Sequence, residues 1–200
     1  MSGQRPVVLA ITGASGAPYA VRLLEQLLAA GRPVSLVVSD HGLRLLATEV
    51  GLATLEALRG AVGADRWDRL VRAFDDRDRG AAPASGSWLS GGMVICPCSM
   101  GTLSAIATGS SRSLVERAAD VALKERRPLV VVPRETPLSA IHLENMLRLT
   151  RAGGVVLPAS PGFYHRPTRL ADLVDFVVAR VLDHVGVDHA LTPRWGSEER

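Results

Sequence analysis

The chain has 200 residues, enough for one α/β domain around a single core. Apolar residues make up 47% of it, which excludes a disordered chain, and aromatics only 4%, so the core must rest on Leu, Val, Ala and Ile. The net charge is only +3, and basic and acidic residues are interspersed, as in ERRPLVVVPRE. That pattern argues against a nucleic-acid-binding stripe and for a basic pocket that takes an anionic small molecule.

Val7 to Thr12 is a continuous apolar run of buried-strand type, and it ends at GASGAP. Ala17 to Ala30 carries Leu and Val at helical spacing, closed by Gly31. Val34 to Ser39 reads as a second strand and His41 to Val50 as a second helix. Thr54 to Phe74 reads as helical, broken at Gly60 and Gly63, and DDRDRGAAPASGS as loop. Gly92 to Cys96 is the next strand, followed by helices over Met100 to Thr108 and Ser113 to Arg126. Leu129 to Val132 is a strand, Leu138 to Ala152 a helix, Val155 to Leu157 a strand, and Arg169 to Val185 a last amphipathic helix. The expected architecture is a single Rossmann-like (flavodoxin-like) three-layer α/β domain over 1–200. It has a parallel sheet with helices on both faces, and 187–200 form an extended polar tail.

No apolar run reaches membrane-spanning length, and MSGQRP leads straight into a strand without the apolar stretch of a signal peptide. A cytoplasmic location is therefore expected. Cys96 and Cys98 exclude a disulfide framework and a four-cysteine zinc site, and read as small buried packing. No other cluster has metal-ligand spacing.

In a parallel α/β sheet the ligand sits at the carboxyl ends of the strands. Polar punctuation falls there repeatedly, as GASG, SD, PCSMGT and PRET. GASGAP joins a strand to a helix start, where backbone N–H groups and the helix dipole favour an anion. A tight turn with a Ser N-cap explains it equally well. Ser99 and Thr102 follow the same logic. Arg117 and Lys124 lie seven residues apart on one helix face, with Asp120 between them, and would ordinarily be a solvated face with local ion pairs. Arg134 and Glu135 end an apolar strand, where functional side chains concentrate. Glu49 reads as an exposed helix-end carboxylate and His142 as a structural histidine.

Together, the blocks ITGASGAPYAVRLLEQL, PCSMGTLSAIATG, LVERAADVALKERRPLVVVPRETPLSAIHLENMLRL and PGFYHRP, continuing to PRWG in the tail, resemble the UbiX-type flavin prenyltransferases. The resemblance implies an enzyme that transfers a dimethylallyl group from dimethylallyl monophosphate to N5 and C6 of reduced FMN. The product, prenylated FMN, serves UbiD-type decarboxylases, and no metal is required. It implies that Gly13, Ala14 and Ser15 contact FMN, with the Ser15 hydroxyl near N5, and that Ser39, Ser99, Met100, Gly101, Thr102 and Arg134 complete the flavin site. Arg117, Lys124, Tyr164 and Arg180 would surround the donor phosphate, with Glu49 and Glu135 as nearby carboxylates. Ser15, Glu49, Glu135 and Lys124 are thus the expected catalytic set. Trp88 and Trp195 are candidate aromatic walls. The family assembles as large homo-oligomers, commonly dodecamers, with active sites at subunit boundaries. The competing readings are a flavin-dependent cysteine decarboxylase, an FMN oxidoreductase and a non-enzymatic flavin carrier.

Overall fold

The structure, a computed structural model, describes residues 4–192. Among the described residues six parallel strands form one sheet: β1 Val7–Ile11, β2 Val34–Val38, β3 Val71–Phe74, β4 Met93–Cys98, β5 Leu129–Pro133 and β6 Val155–Val156. The spatial order is β3-β2-β1-β4-β5-β6, with every neighbouring pair parallel. The chain winds outward from β1 to β3, then crosses back to lay β4 on the other side of β1. The order therefore reverses between β1 and β4, and a crevice opens there at the carboxyl ends.

Eight α-helices among the described residues cover the sheet: α1 Ala17–Ala29, α2 Asp40–Val50, α3 Leu55–Val62, α4 Ala64–Leu70, α5 Met100–Ala107, α6 Leu114–Lys124, α7 Ala140–Arg151 and α8 Leu170–His184. The period-two alternation of the strands sorts the core into two layers. Leu9, Leu36 and Val130 face the layer that receives α1 to α4 and α8, while Ala10, Ile95 and Val131 face the layer of α5 to α7. Leu23, Leu24, Leu27 and Leu28 of α1 are fully buried, a helical spacing that fixes this helix against the sheet. Each such leucine contributes roughly 1.5–3 kcal/mol of apolar transfer.

Two expectations change. The stretch from Thr54 to Phe74 is not helical throughout: its last four residues are edge strand β3, which pairs Val34 with Val71 and Val37 with Phe74. Gly60 does not break its helix, because open space around an exposed helical glycine leaves only a modest propensity cost; the break comes at Gly63, with φ +99°. Within the described residues the start of the tail packs on the domain. Val187 is buried, the His189 ring contacts Asp183 at 3.2 Å, and Leu191 packs on the core. Trp195 and the PRWG segment lie outside the described residues. Among the described residues, no helix is long and apolar enough to cross a membrane.

Candidate active site

The crevice is closed at its base by Thr12, a residue the sequence reading passed over. Its backbone N–H donates to the Pro97 carbonyl at 3.1 Å. Its hydroxyl donates to the same carbonyl at 3.0 Å and accepts the Ser99 N–H at 2.9 Å. One side chain, 2% exposed, thus joins the ends of β1 and β4 where the strand order reverses. The only signal for it was a polar residue closing an apolar run. Gly13 follows, where a Cβ would stand 2.6 Å from that of His41. A Cβ on Gly42 would collide with the Ile11 carbonyl. These two glycines let the α2 N-terminus press against the turn after β1.

Glu49 is not a helix-end carboxylate facing only solvent. It reaches from the end of α2 to the start of α1, where one oxygen accepts the Gly16 N–H at 2.9 Å and the Ala17 N–H at 2.8 Å. Pro18 has no N–H, and the Tyr19 N–H donates to the Gly16 carbonyl at 3.0 Å. The first N–H groups of α1 are therefore served from within the chain, by Glu49. Burial pushes the Glu49 carboxyl upward, but the Gly16 N–H, the Ser15 hydroxyl, the Ala17 N–H and the charge of Arg134 outweigh it. The net result is a carboxyl held below its usual range, ionised at neutral pH. The Ser15 hydroxyl lies close enough to add to this lowering of the Glu49 carboxyl. Arg134, at the end of β5, donates from Nε to the Ser15 carbonyl at 3.3 Å.

The neighbouring helix starts remain open. At α5, Ser99 Oγ caps by accepting the Thr102 N–H at 3.1 Å and lies 3.0 Å from the Thr102 hydroxyl. The Met100 and Gly101 N–H groups have no partner among the described residues, and no acidic residue lies in the first turn. At α2, Ser39 caps through the Gly42 N–H at 3.1 Å, but Asp40 follows it. Ala14 is buried beneath the same turn. Of the two, the α5 start is the better anion receptor. Burial pushes the Cys96 thiol up to about 12 and raises that of Cys98, which leaves both as unreactive packing groups.

The expected donor-phosphate cations divide into two sets on opposite sides of the sheet. Arg117 and Lys124 lie on α6. Arg117 donates to the Ala84 carbonyl at 3.3 Å and to Asp120 at 2.6 Å; Lys124 pairs with Glu125 and lies over Gly86. Tyr164, in the loop after β6, packs edge-on against Phe176 of α8, and Arg180 on α8 pairs with Asp183 at 2.9 Å. Lys124 precedes β5 whereas Arg134 follows it, so the two are separated by a strand length of roughly 17 Å. One chain does not bring these cations together. Glu135 is exposed beside Arg134, where it accepts the Thr136 N–H at 3.2 Å. Trp88 packs against the α5–α7 layer with its carbonyl held by Arg127, away from the crevice. His142 completes a capping box with Ser139, as a structural histidine. Among the described residues no His, Cys, Asp or Glu side chains form a metal-binding group of three.

A doubly wound parallel sheet with polar turns and an arginine at its switch point defines a mononucleotide-binding α/β protein. The Flavoprotein family model matches residues 1–182. The flavin prenyltransferase UbiX of Pseudomonas aeruginosa is 52% identical over 99% of this chain and 97% of its own. A UbiX structure in complex with FMN and dimethylallyl pyrophosphate superposes with a TM-score of 0.88 at 39% identity, covering 97% of this chain and 98% of that one. A dodecameric FMN-dependent UbiX-like decarboxylase from Escherichia coli O157:H7 superposes with a TM-score of 0.86 at 40% identity, covering 96% and 100%. The chain belongs to the flavoprotein family and, within it, to the flavin prenyltransferases of the UbiX type.

Proposed function

We propose that this flavin prenyltransferase joins the dimethylallyl group of dimethylallyl monophosphate to reduced FMN, without a metal. The carrying observation is the Ser15–Glu49 pair. A Ser15 hydroxyl turned toward the ionised Glu49 carboxylate leaves its oxygen lone pairs to accept a proton from the crevice. Reduced FMN presents an N5–H donor and an electron-rich ring when bound. The residues present fit that ligand: Ser15 accepts at the flavin edge, Arg134 stands beside it, and the open α5 start with Ser99 and Thr102 takes the anionic end. Gly13 and Ala14 keep the wall of the crevice low.

Ser15 and Glu49 form a route for the proton lost at N5, and the fixed negative charge of Glu49 favours positive charge developing on the allylic carbon. Arg117, Lys124 and Arg180, with Tyr164, take up the charge that gathers on the departing phosphate, and Glu135 or a phosphate oxygen accepts the ring-closing proton. Since α6 and α8 flank opposite sides of the sheet, we assign their cations to a site completed by neighbouring copies in a homo-oligomer of the dodecameric kind. The product serves a UbiD-type decarboxylase. A carrier or a cysteine decarboxylase has no need of this second phosphate cradle. Anaerobic incubation with reduced FMN and dimethylallyl monophosphate, in the presence of a chelator, should yield a flavin heavier by one prenyl group with ring closure. Unmodified flavin, or activity that depends on an added divalent ion, refutes the proposal.

A further inference from the structure

We propose that His165 is a further ligand for the donor phosphate. The inference rests on the reading that Tyr164 and Arg180 meet that phosphate. Tyr164, His165 and Phe176 form a three-ring cluster with centroids 5.4–5.7 Å apart. His165 stacks flat on Phe176, with 7° between the planes, and Tyr164 stands edge-on to both. The loop is built to admit these rings: a Cβ on Gly162 would stand 2.9 Å from the Tyr164 ring and 3.1 Å from that of Phe176. Arg166 follows at φ +54°, a strained conformation for a non-glycine residue, of the kind that persists at ligand-binding loops.

Both ring nitrogens of His165 are buried, and neither has a hydrogen-bond partner among the described residues. Hiding an imidazole without partners costs free energy that a phenyl ring of the same shape would not incur. A stack against Phe176 needs only an aromatic face, so packing alone would favour phenylalanine here. The nitrogens must therefore serve a state other than the free chain. Phe176 and Arg180 are four residues apart on α8 and share a face, so an anion held between Tyr164 and Arg180 lies over this cluster. Tyr164 is 72% exposed and stands edge-on to the imidazole. With phosphate seated over the cluster, one imidazole N–H donates to a phosphate oxygen, and the buried donor acquires a charged acceptor.

His165→Phe keeps the stack and removes both nitrogens. The thermal midpoint should stay level or rise and FMN affinity should be unchanged. The KM for dimethylallyl monophosphate should rise about tenfold or more, the loss expected for one hydrogen bond to a charged group. His165→Gln, which retains a donor, should recover part of that loss. A wild-type KM in His165→Phe overturns the assignment when Arg180→Ala is impaired in the same assay. Loss of stability and FMN binding together in His165→Phe overturns it as well, because the ring is then structural. Normal KM in both Arg180→Ala and Tyr164→Phe instead removes the donor-site reading itself.

Discussion

Glu49→Gln isolates the charge at the α1 N-terminus. In the wild-type chain one Glu49 oxygen accepts two backbone N–H groups, at 2.9 and 2.8 Å, and the carboxyl is held below its usual range by these and by the nearby Ser15 hydroxyl and Arg134 charge. Hydrogen bonds to charged groups are worth about 1.5–3 kcal/mol and neutral ones about half that. The glutamine oxygen still reaches both N–H groups but loses the charge. With the helix dipole adding about 0.3–1 kcal/mol, the gross loss is about 2–3 kcal/mol. The outer part of Glu49 is open to solvent, which screens the charge and brings the expected loss to about 1–2 kcal/mol. For a chain of this size that lowers the melting midpoint by roughly 3–6 °C. The sign with pH follows from the depressed pKa: the carboxylate stabilises the fold above the pKa of an unfolded-chain glutamate, and that advantage disappears as pH falls through the lower folded-state value. Wild type and Glu49→Gln should therefore differ at neutral pH and converge in acid. Single-turnover prenylation should fall by about a hundredfold, the low end for a misplaced proton acceptor. A gap in melting midpoint that is absent at pH 7, or that widens on acidification, refutes an ionised Glu49 at this helix start.

Ser15→Ala removes the proton acceptor but none of the backbone donors to Glu49, so melting should change little while prenylation stalls; an unchanged single-turnover rate would leave Ser15 as a turn residue only. Lys124→Ala should depress turnover with dimethylallyl monophosphate roughly tenfold or more while FMN affinity holds, by loss of a charge-assisted phosphate contact. Flavin titration beside single-turnover kinetics separates the two, and collapse of FMN binding with normal donor use would place Lys124 on the wrong phosphate. Thr12→Val leaves the Ser99 N–H without its acceptor and should cost about 1–3 kcal/mol, with weaker FMN binding because β1 and β4 lose their clasp; wild-type urea unfolding and flavin titration would contradict that role.

The elements most legible in the sequence were those whose local pattern agreed with their tertiary burial. The apolar run of β1 and the leucines of α1 satisfy both the residue period and the core, so their bounds moved by no more than a residue. β3 was hidden because Val71–Phe74 begins directly after the last residue of α4 with no turn chemistry between them. It is an edge strand whose inner residues are exposed, and Arg72 lies over the Phe74 ring at 4.9 Å, so no buried alternation marks it. The tail looked polar because polar and charged residues outnumber its apolar ones, while Val187 and Leu191 supply the packing. In the site, the identities of the turns were readable but their partners were not. Gly16 and Glu49 are 33 positions apart, and only the fold shows that an internal carboxylate occupies the helix start. Sequence spacing likewise placed Arg117 and Lys124 on one face, but carried no information that Arg180 lies across the sheet.

The charges of the site follow one pattern that bears on turnover. Each of the three expected phosphate cations rests on a carboxylate of its own helix or helix end: Arg117 on Asp120, Lys124 on Glu125 and Arg180 on Asp183. The α1 N-terminus rests on Glu49. The cation side chains are 37–55% exposed, so such pairs contribute little to stability and can be exchanged for a phosphate at small cost. In the proposed oligomer, pairing also lets arginine-bearing surfaces approach one another, since each arrives nearly neutral. A cradle of bare cations would hold inorganic phosphate as tightly as it held the donor, and product would leave slowly. On the proposed assignment of these cations to the donor phosphate, departure of phosphate would restore an existing ion pair instead of exposing an unpaired charge. Binding energy is thereby reserved for the moment when charge builds on the leaving oxygen, the condition under which electrostatic contacts raise rate as well as affinity.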